Sequence, residues 1–277
     1  MVNLTAGLSP TALDAIADLE RRVVAADGGR LKLEWNSLRQ RGGQDVEDVL
    51  WWDGERLLGF LGIYTHGAPT IELAGMVDPA ARRRGIGTAL LDAGLQVCQE
   101  RDHDAVLLVV PRPSIAGRAL AQRRGGVLEH SEHALRLVGD PVEVPADDRV
   151  TIRAATAADQ PAVRELLRRG FGKDEPEAAA PDPDTLLVER DGQPVGTVRL
   201  TPEAEGAGVY GFVIDPDFQG RGIGRDVLHR LCRMARADGA TAVQLDVATD
   251  NDRALNLYTS LGFRPVITED YYALPGR

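Results

Sequence analysis

Apolar residues recur three and four positions apart over Thr11–Ala26, at Ala12, Ile16, Leu19 and Val23. That spacing predicts an amphipathic helix, with Ser9 as its cap and Pro10 in its first turn. Gly28–Arg41 is mixed, with room for a second helix around Leu33 and Leu38. The pattern then shortens to strand length. Val46–Trp52 and Leu57–Tyr64 are joined by Asp53-Gly54, a hairpin signal, and Ile71–Val77 follows as a third strand. Helical spacing returns over Thr88–Glu100 and Ile115–Arg123, on either side of an apolar strand at Val106–Val110.

Gly139–Arg149, with Pro141, Pro145 and Asp147-Asp148, reads as a linker. After it the order of elements starts again. Val150–Arg153 is a strand, Ala157–Gly170 a helix, and Leu186–Glu189 with Pro194–Leu200 a hairpin around Asp191-Gly192. Val209–Ile214 is a strand, Gly222–Asp238 a helix, Ala242–Val247 a strand, Asp252–Leu261 a helix and Pro265–Leu274 a closing strand. Subtracting 137 from the second half carries Gly222, Gly224, Gly196 and Gly262 onto Gly85, Gly87, Gly59 and Gly125, while Asp191-Gly192 falls one residue out of register with Asp53-Gly54. A shared offset through several elements predicts a duplicated α+β domain, residues 1–140 and 149–277, each a mixed, mostly antiparallel sheet flanked by helices. Gly172–Asp184 holds three prolines and five acids against one lysine, so it is expected to be an irregular loop or lid.

Composition narrows the task. With 43% hydrophobic and 27% charged residues the chain reads as a globular protein, and its 277 residues suffice for two modest domains. A formal charge of −10 argues against nucleic acid as the partner. Cys98 and Cys232 have no spacing that suggests a metal site or disulfide framework, so a reduced, cytoplasmic setting without a metal is expected. The N-terminus lacks a basic region followed by an apolar stretch, so no signal peptide is expected, and no apolar run reaches the ~18 residues of a membrane helix. Monomer and homodimer both remain open.

The candidate chemistry lies in two glycine-rich turns. Phe212-Val213-Ile214 runs into Asp215-Pro216-Asp217-Phe218-Gln219-Gly220-Arg221-Gly222-Ile223-Gly224-Arg225, and Met76-Val77 runs into Asp78-Pro79-Ala80-Ala81-Arg82-Arg83-Arg84-Gly85-Ile86-Gly87-Thr88. Strand, glycine turn, helix is a device for holding phosphate: backbone N–H groups approach the anion and the helix N-terminus adds its dipole. Neither turn has the Gly-Lys-Ser/Thr of a P-loop. A dinucleotide site would need a third glycine after Gly224 and would not be preceded by a hairpin.

Gln219-Gly220-Arg221-Gly222-Ile223-Gly224 resembles the Gln/Arg-x-x-Gly-x-Gly/Ala signature of the GNAT superfamily of N-acetyltransferases, and Arg82–Gly87 matches it as well. Asn251-Asp252-Arg253-Ala254-Leu255-Asn256-Leu257-Tyr258-Thr259-Ser260-Leu261-Gly262-Phe263 is similar to a second segment of that family. The resemblance implies two tandem GNAT-like domains whose turns hold the pyrophosphate of acetyl-CoA, the acetyl donor. It further implies that Phe212–Ile214 pairs with the pantetheine arm and that Asn251 and Ala254 line its other side. Arginines beside a glycine path suit phosphate oxygens on chemical grounds too.

Acetyl transfer to an amine needs a neutral amine and a proton for the departing thiolate. By resemblance Tyr258 is the proton donor. The offset places Ala121 there in the first half, with Ser114 for Asn251 and Gly126 for Phe263, so the first copy is expected to be catalytically degenerate. Many family members carry a basic Glu on the strand before the turn. Glu72 stands there in the first half, but the offset puts Val209 in the second, leaving Asp246, twelve residues before Tyr258, as candidate base. That spacing resembles the ribosomal-protein alanine acetyltransferases. Glu205, Tyr271 and Tyr272 are further substrate-side candidates, and the acidic Gly172–Asp184 loop would favour a cationic amine. The resemblance therefore implies an N-acetyltransferase acting on the primary amine of a small molecule or peptide. The tandem arrangement also resembles the mycothiol synthases, and a non-catalytic acetyl-CoA sensor is the alternative of another class.

Overall fold

The computed structural model describes residues 1–65, 70–172, 181–203 and 206–275. The chain divides into two compact units, Met1–Glu132 with Ile267–Arg277, and His133–Val266.

The first unit opens with β1 (Val2–Thr5), α1 (Pro10–Asp27) and α2 (Trp35–Gln40), then β2 (Asp48–Asp53), β3 (Arg56–Tyr64) and β4 (Thr70–Val77). It continues through α3 (Ile86–Gln99), β5 (Ala105–Pro111) and α4 (Ile115–Arg123) into β6 (Val127–Val138). Ser9 caps α1 as expected, its hydroxyl accepting from the Ala12 N–H at 3.2 Å. The strand order is β1-β2-β3-β4-β5-β12, where β12 (Arg264–Leu274) is the chain's last strand. Only β4 and β5 run parallel; the other neighbours are antiparallel. Ile16, Leu19 and Val23 of α1 pack with Phe60, Met76 and Val109 on one face, and Leu90 and Leu91 of α3 pack with Leu61, Leu73 and Val106 on the other. Covering both faces explains why β3 is a continuous apolar run rather than an alternating one.

The second unit repeats the order with β7 (Val150–Ala154), α5 (Gln160–Phe171), β8 (Thr185–Arg190), β9 (Gln193–Glu203) and β10 (Gly206–Ile214). Then come α6 (Ile223–Ala237), β11 (Ala242–Ala248) and α7 (Asp252–Ser260). Its strand order is β6-β11-β10-β9-β8-β7, with β10 and β11 parallel. Val227, Leu228 and Leu231 of α6 meet Val243, Leu245 and Phe263 on one face, while Val163 and Leu166 of α5 cover Leu187 on the other.

Four features of the fold depart from the pattern of the sequence. First, β1 and β6 are strands that the sequence pattern does not reveal; β6 alternates polar and apolar residues irregularly. Second, the closing strand of the second half completes the first unit: Glu269–Leu274 pairs with β5 from Pro111 to Val106. Each unit thus takes its final strand from the other half of the sequence, and 1–140 with 149–277 does not describe the compact units. Third, Gly139–Arg149 is no free tether. The Val142 N–H donates to Leu261 O at 3.0 Å, and Arg230 donates to Asp147 O at 3.0 Å, so the segment satisfies its backbone groups on the second unit. Fourth, the first hairpin turns at Gly54-Glu55, between Asp53 and Arg56, which restores the offset of 137 to Asp191-Gly192. Asp191 and Gly192 have φ of 53° and 77°, both in the left-handed region that a tight two-residue hairpin demands.

Candidate active site

Both glycine turns are built alike. Asp78 and Asp215 each accept from the N–H two residues on, at 2.9 Å, and each holds an arginine of its unit's first helix, Arg22 at 2.9 Å and Arg169 at 2.6 Å. Those bonds fix the turn against α1 or α5. Burial alone would raise the Asp78 carboxyl, but the Ala80 N–H and the Arg56 and Arg22 guanidinium groups hold it below its usual value. The backbone then goes left-handed at Arg83 and Gly85 in one turn (φ 64° and 80°) and at Gly220 and Gly222 in the other (76° and 82°).

The helices that follow start without a side-chain cap. Ser114 and Asn251 cap α4 and α7, accepting from the Gly117 and Ala254 N–H groups at 3.2 and 3.0 Å. At α3 and α6 the cap is Gly85 or Gly222, with no side-chain bond to the first N–H groups. The N–H groups of Ile86, Gly87 and Thr88, and of Ile223 and Gly224, lie at helix starts that have no intrahelical acceptor to offer them. Such N–H groups suit an anion. The arginines are partly committed elsewhere. Arg82 grips Asp27 at 2.9 and 2.6 Å, and Arg221 donates to Asp217 O at 2.9 Å, whereas Arg83, Arg84 and Arg225 are exposed. Gln219 braces the second turn, donating to Ile214 O and accepting from Arg253, both at 2.6 Å.

In each unit the parallel pair parts just before the turn. The β4–β5 ladder ends at Ala74↔Val109, and Gly75, Met76 and Val77 continue along β3 alone. A cleft of about 630 Å³ lies there, lined by Met76, Val77, Arg82, Gly85, Thr88 and Val109 among others. In the second unit the β10–β11 ladder ends at Gly208↔Gln244, and Val213 and Ile214 continue along β9. The edge of Phe212–Ile214 is therefore offered where an extended arm would pair. Asp246 stands two residues past Gln244, half-buried, at the position of Val109 in the first unit.

Tyr258 lies on α7, 7% exposed, with its ring 6.2 Å from that of Phe263. Burial pushes its hydroxyl up to about 12, so it keeps its proton at neutral pH. Ala121 takes its place on α4. Asn251, expected along the donor, is also the α7 cap, and Ala254 is the residue it caps.

The model of the acetyltransferase (GNAT) family matches the sequence twice, over residues 15–125 and 150–263. The chain belongs to the GNAT acetyltransferase family. It is similar to the mycothiol acetyltransferase of Kytococcus sedentarius, at 31% identity over 97% of this chain and 96% of that protein. It is also similar to the mycothiol acetyltransferase of Clavibacter sepedonicus, at 33% identity over 76% of this chain and 75% of that protein. Among solved structures, a GCN5-related N-acetyltransferase from Sphaerobacter thermophilus has the same fold, with a TM-score of 0.81, 20% identity, and 100% and 96% of the two chains covered. The protein is thus an acyltransferase that uses acetyl-CoA as donor and an amine as acceptor. Its residues suit that donor: two uncapped, glycine-led helix starts for a pyrophosphate, each beside a strand edge left open by its neighbour.

The structure also moves several expectations. Tyr271 and Tyr272 lie in the first unit's cores, and the Tyr271 hydroxyl donates to Glu132 at 2.7 Å and receives a short bond from Lys32. Glu205 and most of the Gly172–Asp184 loop, residues 173–180, fall outside the described residues. Val209 is not the counterpart of Glu72. A bulge between Tyr210 and Val213, with Gly211 at φ 57°, adds one residue to β10. Gly208 faces Gln244 as Glu72 faces Leu107, and Leu107 and Gln244 are one offset apart. The place that Glu72 fills is reached in the second unit by Glu203 of β9, whose Oε1 lies 2.2 Å from a Cβ built on Gly208; a fixed offset does not reveal a side chain that crosses from the next strand.

Proposed function

We propose that acetyl transfer takes place in the second unit, with Tyr258 giving a proton to the thiolate of coenzyme A as the C–S bond breaks. The observation that carries this reading is the coincidence, within one unit, of the uncapped turn at Gly222, the open edge of β10 and a buried, protonated tyrosine on α7. Gln219–Arg225 holds the pyrophosphate, Phe212–Ile214 pairs with the pantetheine arm, and Asn251 with Ala254 lies along its other side. Met76, Val77 and Arg82–Thr88 form a second donor cleft in the first unit, where Ala121 offers no proton, so that unit binds acetyl-CoA without passing the acetyl group on. Asp246 is a candidate to receive the acceptor's proton.

The acceptor we favour is a small-molecule amine of the mycothiol type, because the similarity to the Kytococcus protein runs through both halves of the chain. A peptide amine is the second reading. Incubating the protein with radiolabelled acetyl-CoA and, in parallel, mycothiol from which the acetyl group has been removed or an alanine-led peptide distinguishes them. Label in the first product supports the favoured acceptor; label only in the peptide overturns it.

A further inference from the structure

We propose that Glu203 is the carboxylate that takes the proton from the acceptor amine, a role that rests on placing the transfer in the second unit. Gly208 lies beneath this carboxylate. It is the last residue of β10 paired with β11, so it marks the apex at which the two strands part. Glu72 occupies the matching register position of the first unit, two residues before the β4–β5 ladder ends at Ala74↔Val109, rooted on β4 itself and on the α1 face with Ala74 and Met76. At Gly208 there is no side chain, and the space is filled from β9. A Cβ built on Gly208 would lie 2.2 Å from Glu203 Oε1 and 2.4 Å from Tyr210 Cε2. Both units therefore hold a carboxylate at the same register position, one from the strand that opens and one from its neighbour.

Strand pairing dictates this placement. Gly206↔Glu203, Gly208↔Thr201 and Tyr210↔Arg199 are opposite pairs, so their side chains share a face, and Gln244 joins them from β11. Ala207 and Val209 point the other way, into the α6 core. Two donors aim the carboxylate. The Tyr210 hydroxyl donates to Oε1 at 2.6 Å, and Gln244 Nε2 makes a short bond to Oε2. Among the described residues both are neutral, so they orient the group without cancelling its charge. Each carboxylate oxygen has a second lone pair to offer an amine, directly or through one water. Asp246, one alternation further along β11 and one carbon shorter, lies past the apex.

The step balances. An acceptor ammonium gives one proton to Glu203, which passes it to water. The amine lone pair forms the C–N bond, the C–S bond breaks, and the departing sulfur takes the Tyr258 proton. A second proton shed by the nitrogen restores Tyr258 through water. Ammonium and thioester become amide, thiol and one released proton.

The test measures transfer from radiolabelled acetyl-CoA to desacetylated mycothiol and to the alanine-led peptide. If neither is acetylated, hydrolysis of the labelled donor is read instead, since water attack needs the same base. Glu203→Gln is expected to lower kcat roughly 10²- to 10³-fold with the KM for acetyl-CoA unchanged, the size of a lost general base. Glu203→Ala with Gly208→Glu, which roots the carboxylate as Glu72 is rooted, is expected to recover at least tenfold over Glu203→Ala. A merely structural Glu203 would not be rescued in that way. Should the double variant fail to fold, Glu203→Gln still decides: kcat within threefold of wild type overturns the proposal. If Tyr258→Phe is impaired while Glu203→Gln is not, the second-unit site stands and Glu203 is not its base. If neither variant is impaired, or the wild type neither transfers nor hydrolyses, the site itself falls and Glu203 with it.

Discussion

Leu274→Ala should weaken the first unit although residue 274 lies almost at the end of the chain. Leu274 is 7% exposed and belongs to the cluster that holds Leu90, Leu91 and Val106. Its Cα faces Val106 on β5, and its Cδ2 reaches toward Gly126. Removing three carbons from such a site costs about 3 kcal/mol, the transfer term plus the cavity left behind. At about 1.4 kcal/mol per decade that is roughly 150-fold in the opening equilibrium. Amide hydrogen exchange followed by mass spectrometry reads this by peptide. Peptides from Thr70–Val77 and Ala105–Pro111 should exchange up to roughly 150-fold faster, while Gly206–Ile214 and Ala242–Ala248 change little. Faster exchange confined to the latter pair would refute the assignment of the closing strand to the first unit.

Gly222→Ala places a side chain at φ 82° with nothing within 4 Å, so its cost is backbone strain alone, about 1–2 kcal/mol by thermal melt, together with weaker acetyl-CoA binding. Gly224→Ala meets Ile214 and Leu257 at an ordinary 3.6 Å and sits in the first turn of α6, so it should be neutral or slightly stabilising in the same melts. Asp48 is buried, and burial raises its carboxyl to about 6 against the pull of Arg41. The folded state therefore holds that proton longer than the unfolded chain, and stability is lost as pH rises between about 4 and 6. Urea melts of the wild type and Asp48→Asn at pH 4 and 7 should show the wild type losing ground to the variant on going up, by up to about 3 kcal/mol; a gain would contradict this sign.

Much of the architecture was legible because it was written twice. The glycine turns, the caps at Ser114 and Asn251, and the strands on either side of each turn all follow one offset, so each half supported the reading of the other. What escaped were features that a linear offset does not carry. The exchange of β6 and β12 leaves no mark in the periodicity of either strand, since strand pairing is set by the tertiary fold. The bulge at Gly211 shifts the start of β10 by one residue, so the plain offset carries Glu72 onto Val209 rather than Gly208. Glu203 then reaches the apex from a neighbouring strand. Of the candidate site, the anion-binding part was visible in the residues themselves, whereas the acceptor side depends on strand pairing and became visible only in three dimensions.

Acetyl transfer in the second unit depends most directly on Tyr258. Its hydroxyl is the only difference introduced by Tyr258→Phe, and the ring's place beside Phe263 in the core is kept. Measured with radiolabelled acetyl-CoA and the acceptor that the wild type uses, kcat should fall about 10²- to 10⁴-fold, the range expected for a lost general acid. The dissociation constant for acetyl-CoA should stay the same. An unchanged kcat would contradict the assignment of acetyl transfer to the second unit.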